Sequence, residues 1–386
     1  MSRPLLMIPG PIEVSAAVVA AAAAPPLSHL DPALIEAYAG ALGDMRRVWQ
    51  SSSESQPFVV AGAGSLAMES AAVNLLDPGQ RACVVVTGYF GDRMAEMLRR
   101  RGVEVREARM PAPGELPSLE EVARAAEGCQ ALFATHVDTS TGVRTDAEAL
   151  AKLARERGLL SVFDGVCATA AERFAQEAWG ADVYLTASQK AIGLPAGLAL
   201  WVASPRALEA RAALKVAPPM CLDWEVWRPI QQAYEAAQKS YFSTPATTLI
   251  MALRVGLQEL VSEGIEEVFQ RHERAARAMR AAWSSLGLEL LPSDEAWTAN
   301  TLSALRYPKG VDASLLGRIK EHGAVVAGGL LPELKTQYFR VGHMGVVTKR
   351  PDDLLRTVRA VGAALGESGH ACDVEAAAAA AQEILG

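Results

Sequence analysis

Val183-Tyr-Leu-Thr-Ala-Ser-Gln-Lys190-Ala-Ile-Gly-Leu-Pro-Ala-Gly-Leu198-Ala-Leu-Trp-Val202 places one lysine in a loop of small and apolar residues between two short apolar runs. Runs of four or five apolar and β-branched residues bounded by Gly and Pro read as buried strands. A lysine in such a loop is poorly placed for a solvated face. Desolvation disfavours its ammonium form, so the pKa falls and a free amine becomes available for Schiff-base chemistry. A lysine snorkelling out of a loop between two strands reads equally well from this segment alone.

The same alternation extends outward from about residue 57 to 205. Phe58-Val-Val60, Cys83-Val-Val-Val-Thr87, Val103-Glu-Val-Arg106, Ala131-Leu-Phe-Ala-Thr135 and Leu159-Leu-Ser-Val-Phe-Asp164 join the two runs above as strands. Helical patterns from Ser65 to Leu76, Arg93 to Arg101 and Asp146 to Arg157 lie between them. Strands alternating with helices imply an α/β fold, a mostly parallel seven-stranded sheet whose ligands sit beyond the strands' carboxyl ends. Two long helices follow, Thr247 to Ser262 and Ile265 to Leu286. Beyond them come strands near Leu288, Thr301 to Arg306 and Tyr338 to Val341, a helix from Asp352 to Leu365, and an alanine-rich terminal helix within Ala371 to Leu385. The expected organisation is an N-terminal arm (1–18), a large domain (19–262) and a smaller C-terminal α+β domain (263–386).

Half of the 386 residues are hydrophobic, which suffices for a large core. The net charge of −7, with no basic run beyond Arg99-Arg100-Arg101, argues against nucleic-acid and anionic-membrane partners. Five scattered cysteines without paired spacing indicate neither a disulfide framework nor a metal cluster, and suit a reducing compartment. No signal-like h-region, membrane span or targeting tripeptide is legible, so the expected location is cytoplasmic.

Several strand ends carry chemistry. Ala61-Gly-Ala-Gly-Ser-Leu-Ala67 leaves a strand and opens a helix, so free N–H groups and the positive end of the dipole form a phosphate cradle. It also fits the loose dinucleotide pattern G-x-G-x-x-A, but the acid expected at the end of the next strand is absent. A plain tight turn is the third reading. Asp164 ends an apolar strand at the ligand edge, where a buried carboxylate needs a cationic partner; a helix N-cap is its alternative role. Phe90, in Gly88-Tyr-Phe-Gly-Asp-Arg93, stands on a Gly-flanked turn where its face could cover a planar ring, although core packing is the commoner role for such a phenylalanine. Thr135-His-Val-Asp-Thr-Ser-Thr-Gly-Val143 adds a run of hydroxyls and one acid; such runs usually cap helices, but the next helical pattern begins only near Asp146, so these groups read as facing the ligand. Lysine, carboxylate, phosphate cradle and aromatic together describe a site for pyridoxal 5′-phosphate, in which the acid keeps the pyridine nitrogen protonated.

Leu6-Met-Ile-Pro-Gly-Pro11, Ser55-Gln-Pro-Phe-Val-Val60, His136-Val-Asp-Thr-Ser-Thr141, Leu185-Thr-Ala-Ser-Gln-Lys190-Ala-Ile-Gly193, Tyr241-Phe-Ser-Thr-Pro245, Val325-Val-Ala-Gly-Gly329 and Tyr338-Phe-Arg-Val-Gly-His-Met-Gly345 span nearly the whole chain. Together they resemble the class V, fold-type I aminotransferases, close to the alanine–glyoxylate and serine–pyruvate group and especially its fungal members. The resemblance implies Lys190 as the Schiff-base lysine and proton shuttle, Asp164 as the pyridine-nitrogen partner and Phe90 as the stacking aromatic where many relatives carry tryptophan. It further implies cofactor contacts from Ala63, Gly64, Ser65, Thr139, Val166 and Gln189, and from Tyr241 and Thr244 reaching across a homodimer whose active site is shared. Arg340 would grip the substrate carboxylate, with backbone help near Gly10. Ala63 and Ser65 replace the serine and histidine of the animal relatives, which reduces side-chain help to the phosphate.

The activity so implied moves an amino group from a small amino acid, alanine first, to the 2-oxo acid glyoxylate, giving glycine and pyruvate. Serine–glyoxylate or serine–pyruvate, ureidoglycine–glyoxylate and aminophosphonate transamination use the same lysine, aspartate and phosphate loop. A cysteine desulfurase would need a nucleophilic cysteine on a mobile loop late in the chain, and Cys221 and Cys372 lie in the wrong contexts. A nicotinamide-dependent oxidoreductase rests on Gly62-Ala-Gly64 alone, and a scaffold protein would leave the constellation incidental.

Overall fold

The computed structural model describes residues 3–386. All seven sequence-predicted strands of the large domain pair in one sheet. In chain order they are β1 (Gln56–Ala61), β2 (Arg81–Val86), β3 (Glu104–Arg109), β4 (Ala131–Thr135), β5 (Leu160–Asp164), β6 (Val183–Ala187) and β7 (Leu198–Ala203). Their spatial order is β1-β7-β6-β5-β4-β2-β3. Only β7 runs against its neighbours, β1 and β6. The other neighbouring pairs are parallel, and β4, β5 and β6 are buried along their whole length, which explains their unbroken apolar reading.

Each sheet face carries its own core. On one face the helix Pro32–Trp49, capped by Asp31 and opened by Pro32, packs with α3 (Thr247–Glu263) over Val59, Leu132, Phe163 and Leu200. On the other, α1 (Gly64–Leu75) and α2 (Tyr89–Arg100) cover Val84, Phe133, Val162 and Leu185. There Phe58, Trp201 and Trp224 stack, with centroids 5.1 to 6.2 Å apart. Sequence patterning left Pro32–Trp49 unassigned, and α2 begins at Tyr89 rather than at the predicted Arg93.

A third core joins α4 (Ile265–Ser285), α5 (Pro351–Glu367) and α6 (Val374–Leu385) to an antiparallel sheet of Leu302–Arg306, Tyr338–Gly342 and Ala327–Gly328. The strand expected near Leu288 is reduced to an isolated bridge between Leu290 and Leu305. The N-terminal Leu5–Leu6 pairs in parallel with Ala324–Val325, and Gly342 N donates to Met7 O at 2.7 Å. The arm is thereby stitched to the C-terminal part before it crosses toward the main sheet. All five cysteines are free thiols.

Candidate active site

Because β4, β5 and β6 are parallel and in register, Thr135 lies beside Asp164 and Asp164 beside Leu185. The segments leaving the three strands therefore converge on one edge. The β6–β7 loop carries Lys190 there, β5 delivers Asp164, and the segment after β4 delivers Asp138 to Thr141.

Lys190 is 9% exposed. Its ammonium donates to Pro9 O, and burial holds its pKa below the usual lysine value. Gly10, at φ +111°, lies so close that a Cβ there would stand 2.6 to 2.8 Å from Lys190 Cδ, Nζ and Cε. Only glycine meets both the conformation and the space. The snorkelling alternative is thus overturned, since the amine is enclosed by the N-terminal arm rather than led to solvent.

Asp164 is also buried. Oδ1 accepts from Val166 N at 2.9 Å, and Oδ2 accepts no hydrogen bond among the described residues. No helix follows the turn, so the N-cap alternative fails. Burial pushes its pKa up to about 7, against the pull of the Val166 N–H and the fields of Lys190 and Arg93. Lys190 and Asp164 form no ion pair among the described residues. Beneath Asp164, Tyr184 fills the space where a Gly165 side chain would be, and its hydroxyl meets His136 Nδ1 at 2.9 Å. Burial depresses that imidazole to about 3, which keeps it neutral.

The turn after β1 enters α1 with Ala63 at the N-cap and no side-chain cap. The Gly64 and Ser65 N–H groups are consequently open to an anion, while Leu66 N bonds back to Ala63 O at 2.9 Å. Gly64 permits this approach, because a Cβ would stand 2.7 Å from Val166 Cγ2. Gln189, next to the lysine, has a buried Oε1 without a hydrogen-bond partner.

Phe90 is half-buried on the first turn of α2 rather than in the core, edge-on to Tyr89 at 5.5 Å. Its placement depends on Asp138, whose role sequence patterning missed. The Asp138 carboxylate accepts from Phe90 N (3.0 Å), Gly91 N (3.3 Å), Ser140 N (2.9 Å) and Ser140 Oγ (2.6 Å), while Ser140 Oγ accepts from Tyr89 N at 2.9 Å. The cap of α2 thus comes from a segment about fifty residues away. Burial raises the Asp138 pKa despite these donors. The expected ligand-facing hydroxyls are largely spent here, Ser140 on Asp138 and Thr141 on Thr87 O. Asp138→Ala is expected to lower stability by about 1–3 kcal/mol, because buried N–H groups lose their acceptor; an unchanged denaturant midpoint would remove this role.

Arg340 is 9% exposed and held rigidly, Nε to Gly328 O at 2.9 Å and Nη1 to Thr139 O at 3.1 Å. Nη2 has no partner among the described residues. Tyr338 OH, two residues away, donates to Ser140 O at 2.5 Å, so the small sheet is tied to the loop bearing Thr139. Tyr241 and Thr244 are not brought to this centre. Both are exposed, Tyr241 by 59%, and are joined to each other at 3.3 Å.

Residues 17–330 match the family model Aminotransferase class-V. The chain is 34% identical over 367 residues to alanine–glyoxylate aminotransferase 1 of Saccharomyces cerevisiae, covering 88% of this chain and 92% of that protein. It is 31% identical over 351 residues to L-aspartate–glyoxylate aminotransferase of Paracoccus denitrificans, covering 89% and 87% respectively. The crystal structure of alanine–glyoxylate aminotransferase from Nostoc sp. superposes with a TM-score of 0.88 at 31% identity, covering 95% of this chain and 96% of that one. With the family model spanning most of its length and relatives above 30% identity aligned nearly end to end, the chain belongs to the class-V aminotransferase family.

Proposed function

We propose that this transaminase works with pyridoxal 5′-phosphate and passes the amino group of a small amino acid, alanine first, to glyoxylate, yielding pyruvate and glycine. The observation that carries the reading is Lys190, a buried amine with a lowered pKa, at the same sheet edge as a buried carboxylate with a free oxygen. The relatives named for glyoxylate support the acceptor.

The residues present fit the cofactor. The uncapped end of α1 at Ala63, Gly64 and Ser65, with Gln189 beside Lys190, whose side-chain amide makes no hydrogen bond among the described residues and can donate through Nε2, suits the phosphate end. Asp164 Oδ2 suits a protonated ring nitrogen, and the half-buried ring of Phe90 suits the cofactor ring. Val166 and Thr139 complete the enclosure. When bound, pyridoxal phosphate carries the amino group between donor and acceptor and delocalises the electron pair left at the donor's Cα. Lys190 Nζ takes the Cα proton, a task for which a neutral amine is required. Arg340 holds the donor carboxylate and thereby orients the Cα–H bond toward that amine. The backbone at Gly10, packed against Lys190, narrows the space beside the reacting atoms and favours a small donor.

In the homodimer we infer, Tyr241 and Thr244 reach the partner's phosphate site, which accounts for an exposed tyrosine next to apolar Phe242. No helix among the described residues is long and apolar enough to cross a membrane. We place the protein in the cytoplasm and divide it into an arm (1–18), a large domain (19–262) and a small domain (263–386).

Arg340→Lys keeps the charge but loses the planar fork and its two carbonyl anchors. The KM for alanine is expected to rise about 10- to 100-fold with a smaller change in kcat; an unchanged KM would remove the carboxylate role. A donor panel with glyoxylate as acceptor tests the substrate. Alanine is expected to give the highest kcat/KM, and a preference for aspartate or serine would overturn that assignment.

A further inference from the structure

We propose that Arg93 is the subunit's own cation for the cofactor's phosphate, acting beside and through Ser65. This rests on the cofactor reading above and deepens it. The donors assigned to the phosphate by resemblance, namely backbone N–H groups, Ser65, Gln189, Tyr241 and Thr244, are all uncharged. A phosphate monoester carries about two negative charges near neutral pH. A site of neutral donors leaves that charge uncompensated.

Arg93 answers this need. It is half-buried on α2 and pairs with no carboxylate among the described residues. The acids on its own helix are engaged elsewhere, Asp92 with Arg109 at 2.5 Å and Glu96 with Arg100 at 2.8 Å. Its guanidinium is nonetheless fixed. Nη1 donates to Ser65 Oγ at 3.0 Å, Nη2 donates to Tyr89 OH at 3.1 Å, and Cζ stands 4.9 Å from the ring centroids of both Tyr89 and Phe90. A partly desolvated cation without an anion, held at the uncapped N-terminus of α1, marks a position where an anion is stabilised by both. Since Ser65 Oγ accepts from Arg93, its own O–H is free to donate toward that anion. The phosphate loop itself carries no basic side chain, and Arg93 brings one to it from the neighbouring helix.

The test compares two ligands that differ only in the phosphate. Apoprotein carrying Arg93→Gln or Arg93→Lys is titrated with pyridoxal 5′-phosphate and with pyridoxal, following the visible band and intrinsic fluorescence. Arg93→Gln is expected to weaken pyridoxal 5′-phosphate binding by about tenfold or more while changing pyridoxal binding less than about twofold, and Arg93→Lys to recover most of the loss. Inorganic phosphate should raise the melting temperature of wild-type apoprotein more than that of Arg93→Gln, a readout that needs no activity. Equal losses for both ligands would show that Arg93 only supports Phe90, and no loss would show that it does not act on the phosphate; either overturns the proposal. Wild-type protein that binds neither ligand overturns the cofactor reading itself, and this proposal with it.

Discussion

Lys190→Ala is expected to cut transamination by at least about 10³-fold while the protein stays folded. Among the described residues the nearby candidates have other roles: Asp164 Oδ1 accepts from Val166 N and Oδ2 is assigned to the ring nitrogen, while Cys167 Sγ, the nearby thiol, lies 3.6 Å from Thr301 Oγ1. The expected stability effect runs the other way from the catalytic one. An enclosed amine whose pKa burial has lowered is a cost to the native state, so its removal should leave the melting temperature unchanged or higher. A small primary amine added to the variant should restore part of the proton transfer. Wild-type turnover in the folded variant would contradict the assignment of Lys190, whereas loss of activity together with loss of the fold would leave Lys190 as a packing residue.

Asp164→Asn carries the second large effect, and it separates stability from activity. The wild-type carboxyl has its ordinary pKa of 3.8 when unfolded and about 7 in the buried native site. Between those values the native chain keeps a proton that the unfolded chain has released. Stability of the cofactor-free protein therefore falls as pH rises through this window, at up to about 1.4 kcal/mol per pH unit. The asparagine variant has no such proton to lose. It should match wild type near about pH 4 and be more stable by a few kcal/mol near about pH 8. Transamination in the same variant should drop by about 10²-fold or more, because a neutral amide does not hold the ring nitrogen protonated. Denaturant midpoints across that range check the first part, and parallel pH slopes for the two proteins would contradict it.

These expectations rest partly on what was legible in the sequence. Strands β4, β5 and β6 read clearly because both sheet faces are covered, and the fixed pairing of parallel strands then sends Asp164 and the Lys190 loop to one edge. The glycine turn before α1 was legible as an anion cradle from local chemistry. Asp138 and Arg93 were not, and the reason is distance along the chain. Asp138 looked like one acid in a polar run, and only folding sets its carboxylate under the Phe90 and Gly91 N–H groups. Arg93 read only as the first residue of a helical pattern, and its partner Ser65 lies 28 positions earlier. The enclosure of Lys190 by Pro9 and Gly10 likewise spans 181 positions, beyond any periodic signal. The N-terminal arm could be matched by resemblance, but its parallel pairing with Ala324–Val325 is a tertiary event.

One measurement reaches the centre of this reading. The protein is incubated with pyridoxal 5′-phosphate, its absorption spectrum recorded, the mixture reduced with borohydride, and the digested peptides weighed by mass spectrometry. The expected result is a visible band that borohydride abolishes, with the reduced pyridoxyl mass on the peptide containing Lys190 and, at one equivalent, on no other lysine peptide. Absence of the band, or a label found only on surface lysines with the Lys190 peptide unmodified, would contradict the role given to Lys190.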